Sequence, residues 1–185
     1  MQDLKGVQVG PLLRDMLGKA PIDATGDVHA DVNTEGANSA QLRQGLSGSV
    51  SLRLREGVVN GLDIGAMVVG GKAASGLAAV GVATRFSALN ASFTIANGVA
   101  HNADLFAQAT LFSVTGAGDI DLAREQIDYT LACTLVASSA SLPVRLSGPW
   151  DAIAWHVDGK EISGAAVKEK ATNKLKKTIR RLLKR

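Results

Sequence analysis

The sequence predicts an α+β protein that is predominantly β: a curved antiparallel sheet with short helices and a C-terminal amphipathic basic helix. Three observations support this fold class. Apolar and polar residues alternate with a period of two over most of the chain, which is typical of strands with one buried face. Turn-forming pairs such as Asn97-Gly98 separate the alternating segments. From Ile162 onward, apolar residues recur every three or four positions, which is the period of a helix.

The N-terminal part is predicted to contain two short helices and two strands. Residues 10–18 carry Pro at the second position and Gly at the last, a pattern that is typical of a helix. Residues 21–35 alternate and predict a strand, and residues 38–46 predict a second helix with a capping Asn or Ser at its start. Residues 48–56 alternate again and predict a strand that ends at a hairpin turn, Glu56-Gly57.

A less regular segment follows this turn. Val58 and Val59 are expected to begin the return strand of the hairpin, and Asp63 is placed to cap a short helix that reaches residue 68. Residues 70–82 consist almost entirely of Gly, Ala, Ser and Val, which provide neither large core side chains nor the charges of a solvated helix. This composition predicts a mobile or loosely packed loop.

The second half of the chain has the clearest strand pattern. Short links between the alternating segments predict antiparallel neighbours. The predicted strands cover residues 86–97, 99–109, 111–121 and 127–136, followed by a final pair over residues 142–146 and 153–157.

The charges divide the chain into two predicted parts, a β-rich domain over residues 1–159 and a basic helical tail over residues 160–185. The first part has 10 Lys or Arg against 15 Asp or Glu, a net charge of −5, and the tail has 10 against 2, a net charge of +8. A mildly acidic body with a cationic end indicates one localised contact with an anionic surface and argues against a nucleic-acid-binding protein.

The sequence offers no pattern that is typical of an enzyme or a cofactor site. A single cysteine, Cys133, excludes an internal disulfide and alternates with apolar residues, so it is expected to be a small buried side chain. His29, His101 and His156 lie on three different predicted strands, without a second histidine at metal-ligand spacing. We therefore expect a protein without catalytic residues, metal or cofactor.

Several segments resemble the C-terminal region of the AsmA family of bacterial envelope proteins. Each is largely a strand-and-turn pattern, and their order and spacing together make the resemblance specific. They are residues 4–13, residues 26–36, residues 46–50 with Arg55-Glu56-Gly57-Val58-Val59-Asn60-Gly61-Leu62-Asp63-Ile64, residues 84–93, and Leu142-Pro143-Val144-Arg145-Leu146-Ser147-Gly148-Pro149-Trp150.

The resemblance implies a periplasmic, non-enzymatic domain. Family members have a transmembrane helix in the inner membrane and a long β-rich periplasmic groove, and they are implicated in moving phospholipid towards the outer membrane and in maintaining that membrane. The resemblance therefore implies a hydrophobic β-groove that binds the acyl chains of phospholipid. The N-terminal membrane helix is not found in these 185 residues, so we expect it in a longer protein.

If the groove exists, its lining should come from apolar residues on alternating strand positions, although each could equally belong to an ordinary core. The alternative function is a protein-interaction module of the envelope that carries no lipid. The basic tail could pack on the sheet, contact an anionic membrane surface or another envelope protein, or remain solvated. The groove candidates are Val50, Leu52, Leu54, Leu89, Phe93, Ile95, Ile127, Leu131 and Leu135, and the tail contact candidates are Lys170, Lys174, Lys177 and Arg181.

Overall fold

A computed structural model of the chain describes residues 1–17, 20–64, 75–77, 82–136 and 141–157. Within these ranges, ten strands form one antiparallel sheet that is accompanied by two short helices. The elements are β1 (Gln2–Gln8), α1 (Val9–Leu17), β2 (Ile22–Asn33), α2 (Ser39–Gln44), β3 (Ser47–Asn60), β4 (Ser75–Leu77), β5 (Ala83–Ala96), β6 (Val99–Gln108), β7 (Phe112–Asp121), β8 (Gln126–Leu135), β9 (Ser141–Pro149) and β10 (Ala154–Val157).

The strands lie side by side almost in chain order, β1-β2-β3-β5-β6-β7-β8-β9-β10-β4, so β4 alone is displaced in this part of the chain. The predicted β-rich antiparallel architecture is confirmed, and β5 to β10 lie within a few residues of the predicted strands. The predicted C-terminal helix, and with it the whole tail over residues 160–185, lies outside the described residues.

Both helices that the sequence predicts in the first 50 residues are present. In α1, Val9 is buried and Leu13 packs against the apolar cluster on β2, β3 and β5. In α2, the Asn38 side chain accepts a hydrogen bond from the Gln41 amide at 2.9 Å, which satisfies one of the unpaired donors of the first turn. The capping residue predicted at residues 38 or 39 is therefore Asn38.

The hairpin predicted at Glu56-Gly57 is wrong. β3 continues through these residues to Asn60, and Val58 and Val59 pair with the same strand, β5, as Arg55 does. Glu56 has a left-handed backbone conformation with φ 47°, and Gly57 next to it is buried. The turn signal thus marks a local irregularity inside a long strand, because two residues that favour turns can also bend a strand without ending it.

Two edge strands were not predicted. β1 precedes the first predicted helix, and its alternation is broken by Gly6, which has φ 61°. β4 lies inside the segment that was predicted to be a loose loop, and its backbone pairs with β10 over Ser75 to Leu77. A strand of only three residues, Ser75 to Leu77, is too short to show a periodicity, so this prediction was wrong for residues 75–77. The other residues at positions 70–81, and the predicted helix beyond Ile64, lie outside the described residues.

The core lies on one face of the sheet and consists of two apolar clusters. The first is built on β2, β3, β5 and α1, and the second on β7, β8, β9 and β10. Leu105 and Ala107 of β6 pack against both clusters, so the two are connected. Leu54, Cys133, Val144 and Val157, at 0–1% exposure, are the most deeply buried apolar side chains.

Main-chain hydrogen bonds connect successive turns at one end of the sheet. The Gly98 amide donates to the Leu46 carbonyl at 2.9 Å, and the Gly98 carbonyl accepts from the Leu122 amide at 2.8 Å. Farther along, the Trp150 amide donates to the Glu125 carbonyl at 2.9 Å. These bonds connect the turns that follow β2, β5, β7 and β9 and satisfy polar groups that strand ladders leave unpaired.

Gly98 allows this arrangement, and replacing it tests the connection between turns. Gly98 has φ 76°, and a Cβ atom placed there would lie 2.4 Å from the Arg43 carbonyl oxygen. Gly98→Ala is therefore expected to lower the free energy of unfolding by roughly 2–4 kcal/mol, through backbone strain and displacement of α2. Urea denaturation would measure this change.

Gly6→Ala is the matched control. Gly6 also has a left-handed backbone, with φ 61°, but a Cβ atom there would have no neighbour within 4 Å. Gly6→Ala should therefore lower the free energy of unfolding only by the cost of the left-handed backbone, about 1–2 kcal/mol. Equal losses in the two variants would contradict the close contact between the β5–β6 turn and α2.

Candidate functional site

The nine groove candidates lie on the same face of the sheet, called here the apolar face. On β3 and β5, Leu54 is opposite Leu89 and Val50 is opposite Phe93. On β8, Ile127, Leu131 and Leu135 alternate in phase with Cys133. One cross-strand row connects the two regions and shows that they share this face: Leu54, Leu89, Ala107, Val114, Cys133 and Leu142.

The candidates differ in how much of each side chain reaches solvent. Four are half-buried, and five are buried with 1–7% exposure. The buried candidates in the clusters already pack against protein atoms, so the half-buried ones are better placed to contact a bound molecule. The half-buried candidates are Val50, Leu52, Phe93 and Ile127, and the buried ones are Leu54, Leu89, Ile95, Leu131 and Leu135.

The accessible part of the apolar face lies near β1, β2 and β3. Leu4 is opposite Val28, which is in turn opposite Leu52. Leu4 is 37% exposed, and Val32, farther along β2, is 42% exposed. Covering an apolar side chain at this level of exposure with another apolar surface is favourable, because it removes that side chain from water.

Sequence reasoning did not include Leu4, Val28 and Val32 among the groove candidates. Val28 and Val32 were part of the alternation that predicted β2, so the signal was available in the period-two pattern. Leu4 could not be assigned because its strand, β1, was not recognised. The structure thus extends the candidate surface by two strands towards the sheet edge.

A buried polar network interrupts the apolar face near its centre. Asn102 is 1% exposed, and its Oδ1 accepts a hydrogen bond from the Tyr129 hydroxyl. Its Nδ2 donates to the Ser92 carbonyl at 2.7 Å and to Asp104 Oδ1 at 2.6 Å. The network lies where the registers of the β5–β6 and β6–β7 pairs shift. Burial, with a smaller effect of the Asp104 carboxylate, raises the pKa of Tyr129, which therefore remains a hydrogen-bond donor.

The opposite face, called here the outer face, is mostly polar, and carboxylates on it contact His or Arg side chains of neighbouring strands. His101 Nδ1 lies 2.7 Å from Asp119 Oδ1, and Arg145 contacts Asp128 through Nε at 3.1 Å and a terminal nitrogen at 2.8 Å. His29 also contacts a carboxylate, that of Asp3. All six side chains are substantially exposed, so each pair contributes little to stability.

The described residues form no cluster of three or more His, Cys, Asp or Glu side chains that could hold a metal ion. Cys133, which was expected to be a small buried side chain, is fully buried, and burial raises its pKa to about 12. A thiol with this pKa is protonated at neutral pH and is therefore a poor nucleophile.

The four tail contact candidates, Lys170, Lys174, Lys177 and Arg181, lie outside the described residues. Among the helices that the structure describes, none has the length and apolar composition required to cross a bilayer.

Removing the polar atoms of the network should destabilise the protein by unequal amounts. Tyr129→Phe deletes one hydrogen bond but leaves the Leu105 amide bonded to Asn102, so a loss of about 1 kcal/mol is expected. Asn102→Ala leaves the Tyr129 hydroxyl and the Ser92 carbonyl without their partner, so about 2–4 kcal/mol is expected. Chemical denaturation of both variants would measure the difference, and a larger loss for Tyr129→Phe would contradict the described bonding.

The network should also respond to acid through Asp104. Hydrogen bonds from the Ser92 hydroxyl and amide lower the pKa of Asp104 below its usual value. A carboxylate with a lowered pKa stabilises the folded state above the pKa of the unfolded chain, about 4, and this contribution disappears as the pH falls further. We expect Asp104→Asn to be less stable than the original protein at pH 7, with a smaller difference at pH 3. Asp151→Asn, in an exposed turn, is the control and should show little change at either pH.

Comparison with known proteins gives one family. The model of the AsmA family matches residues 1–105, which is more than half of the chain and includes β1 to β5 and most of β6. No match was found among curated proteins or among solved structures.

Proposed function

Because the chain belongs to the AsmA family, whose members are bacterial envelope proteins, we propose that it is a non-enzymatic envelope domain that binds the acyl chains of phospholipid. The proposal includes a periplasmic location and a role in phospholipid transport between the inner and outer membranes, with maintenance of the outer membrane. Anchoring to the inner membrane through an N-terminal helix of a longer protein is also part of the proposal.

The extended apolar face is the observation that supports lipid binding most directly. It extends across the sheet from Leu4 on β1 to Leu142 on β9 and includes half-buried side chains such as Val28, Leu52 and Phe93. Such a surface can align with an extended hydrocarbon chain over several strands. Each methylene that it removes from water contributes about 0.8 kcal/mol, without requiring a specific recognition residue.

The buried and half-buried candidates have different roles in this proposal. Four of the buried candidates stabilise the sheet, because they are already packed in the two clusters: Leu54, Leu89, Leu131 and Leu135. Val50, Leu52 and Phe93 would contact the lipid, since they are adjacent across β3 and β5 and retain accessible surface. Ile127 would extend this contact on β8.

The basic tail is proposed to contact an anionic membrane surface or another envelope protein. The support is its composition alone, with a net charge of +8 over residues 160–185. Each cation close to an anionic bilayer contributes about 1 kcal/mol, so a few of these residues would be sufficient for attachment. We propose no nucleic-acid partner, because the remainder of the chain has a net charge of −5.

A lipid-free interaction module is the alternative, and the edge of β1 is the place where a partner strand could add. The register of β1 shifts between Leu4 and Val7, and Gly6 within this shift has φ 61°. Lys5 lies in the same interruption. Bulges and lysines on edge strands hinder the addition of further strands, so these features favour the lipid-binding proposal over the alternative.

A charge introduced on the accessible part of the apolar face should reduce lipid binding. Val50→Lys places a cation beside Phe93, where the acyl chain is proposed to bind. If about two methylenes lose their contact, the affinity should fall by roughly tenfold. The measurement is native mass spectrometry of the detergent-free purified chain after incubation with phospholipid vesicles, followed by extraction and identification of bound lipid.

Ser49→Lys is the matched control, because it adds the same charge one residue away on the outer face. This variant should retain the bound phospholipid. Lipid-free protein throughout, or equal binding by Val50→Lys and Ser49→Lys, would reject the proposed role of the apolar face and favour the interaction module.

A further inference from the structure

Two neighbouring clefts lie along the outer face of β1, β2, β3 and β5. They have volumes of about 430 and 300 Å³ and share Asp27 as a lining residue. The larger cleft is lined by Thr25, Arg55 and Ser87, and the smaller one by Arg53. Thr25, Asp27, Arg53 and Arg55 alternate with residues of the apolar face, so the clefts lie on the other side of the sheet.

Arg53 and Arg55 have no ion-pair partner within 4.0 Å in the part of the chain that the structure describes. By contrast, Arg43, Arg124 and Arg145 each contact a carboxylate. Two exposed arginines on the same strand face are therefore available to a ligand.

The position of Asp27 explains why Arg53 lacks an ion-pair partner among the described residues. The two residues are directly opposite each other in the β2–β3 register, where oppositely charged side chains commonly pair. Asp27 Oδ1 instead accepts a hydrogen bond from the Gly6 amide at 3.0 Å, across the irregular part of β1. Because the Asp27 carboxylate accepts its hydrogen bond from the edge strand, the Arg53 guanidinium has no ion-pair partner among the described residues.

The spacing of the two arginines suits a tetrahedral anion. Residues i and i+2 on a strand are roughly 7 Å apart on the same face, and arginine side chains are long enough to converge over that distance. A guanidinium presents paired donors that match phosphate oxygens. Thr25, which is opposite Arg55, and Ser87 supply hydroxyl groups in the same cleft.

We infer that the outer face binds a phosphate group between Arg53 and Arg55, at a site separate from the apolar face. Asp27 and Glu56 also line the larger cleft and offset its positive charge. Recognition therefore depends on directed guanidinium hydrogen bonds and not on a general positive potential. The phosphate could come from a lipid headgroup or from a soluble phosphate ester, and the inference does not rest on acyl-chain binding.

Titration of the full chain with inorganic phosphate, followed by ¹H–¹⁵N nuclear magnetic resonance at constant ionic strength, tests the site. We expect saturable shifts at the Arg53 and Arg55 side chains and at the Thr25 and Ser87 amides. Arg53→Gln with Arg55→Gln should weaken binding by at least about tenfold, because two charge-assisted hydrogen bonds are lost. Arg53→Lys with Arg55→Lys keeps the charge without the paired donors and should bind with intermediate affinity.

The control is Arg14→Gln with Arg85→Gln, which removes the same charge from two exposed positions that do not line either cleft. This variant should retain phosphate binding, and the dispersion of each spectrum reports whether each variant is folded. Shifts that do not saturate, or equal weakening in the two Gln double variants, would overturn the inference.

Vesicles of phosphatidylcholine with and without phosphatidylglycerol separate the two sources of phosphate. The basic tail is unchanged in every variant, so its contribution is the same throughout. Weaker flotation of Arg53→Gln with Arg55→Gln than of the control identifies a lipid headgroup. Equal flotation, together with the loss of inorganic phosphate binding, identifies a soluble phosphate ester.

Discussion

In a single antiparallel sheet, alternate side chains must point to opposite faces, and this constraint determines the rest of the structure. It places the two apolar clusters on one side and ion pairs such as Arg145 with Asp128 on the other. One layer of strands cannot bury its own apolar face completely without another element against it. The half-buried side chains near β1, β2 and β3 are a direct result, and they form the surface that the proposed function uses.

The register shifts in β1 and around β6 each coincide with a specific side-chain hydrogen bond. The register shift in β1 directs the Gly6 amide to Asp27, which leaves Arg53 available in the outer clefts. The shifts around β6 place Asn102 among apolar side chains, where Tyr129 satisfies it. A buried polar group with all its bonds formed fixes the register of its strands, since a slip by one residue would break the bonds and expose the apolar side chains.

The fold could be predicted where a segment has both periodicity and a turn signal. β5 alternates from Leu89 to Ala96 immediately before Asn97-Gly98, and β8 alternates over its entire length. Glu56-Gly57 was wrongly predicted to be a hairpin turn, because the residue types that allow a local bend inside a strand are the same as those that reverse the chain. β4 has only three residues and depends on pairing with β10, which is distant in the chain. Period two could assign the groove candidates of each strand to one face of that strand. That all nine share a face, and how deeply each is buried, depends on contacts between strands that no local pattern contains.

Because hydrogen bonds join the turns at one end of the sheet, the loops at the two ends should differ in how readily they tolerate insertions and deletions. Adding residues near Leu46, Gly98 or Trp150 would separate turns that hold one another through their main chains. At the opposite end, residues 61–82 separate β3 from β5 in the chain and include β4. Insertions and deletions during evolution should therefore accumulate at that opposite end, where new segments could be acquired without disturbing the strand ladder.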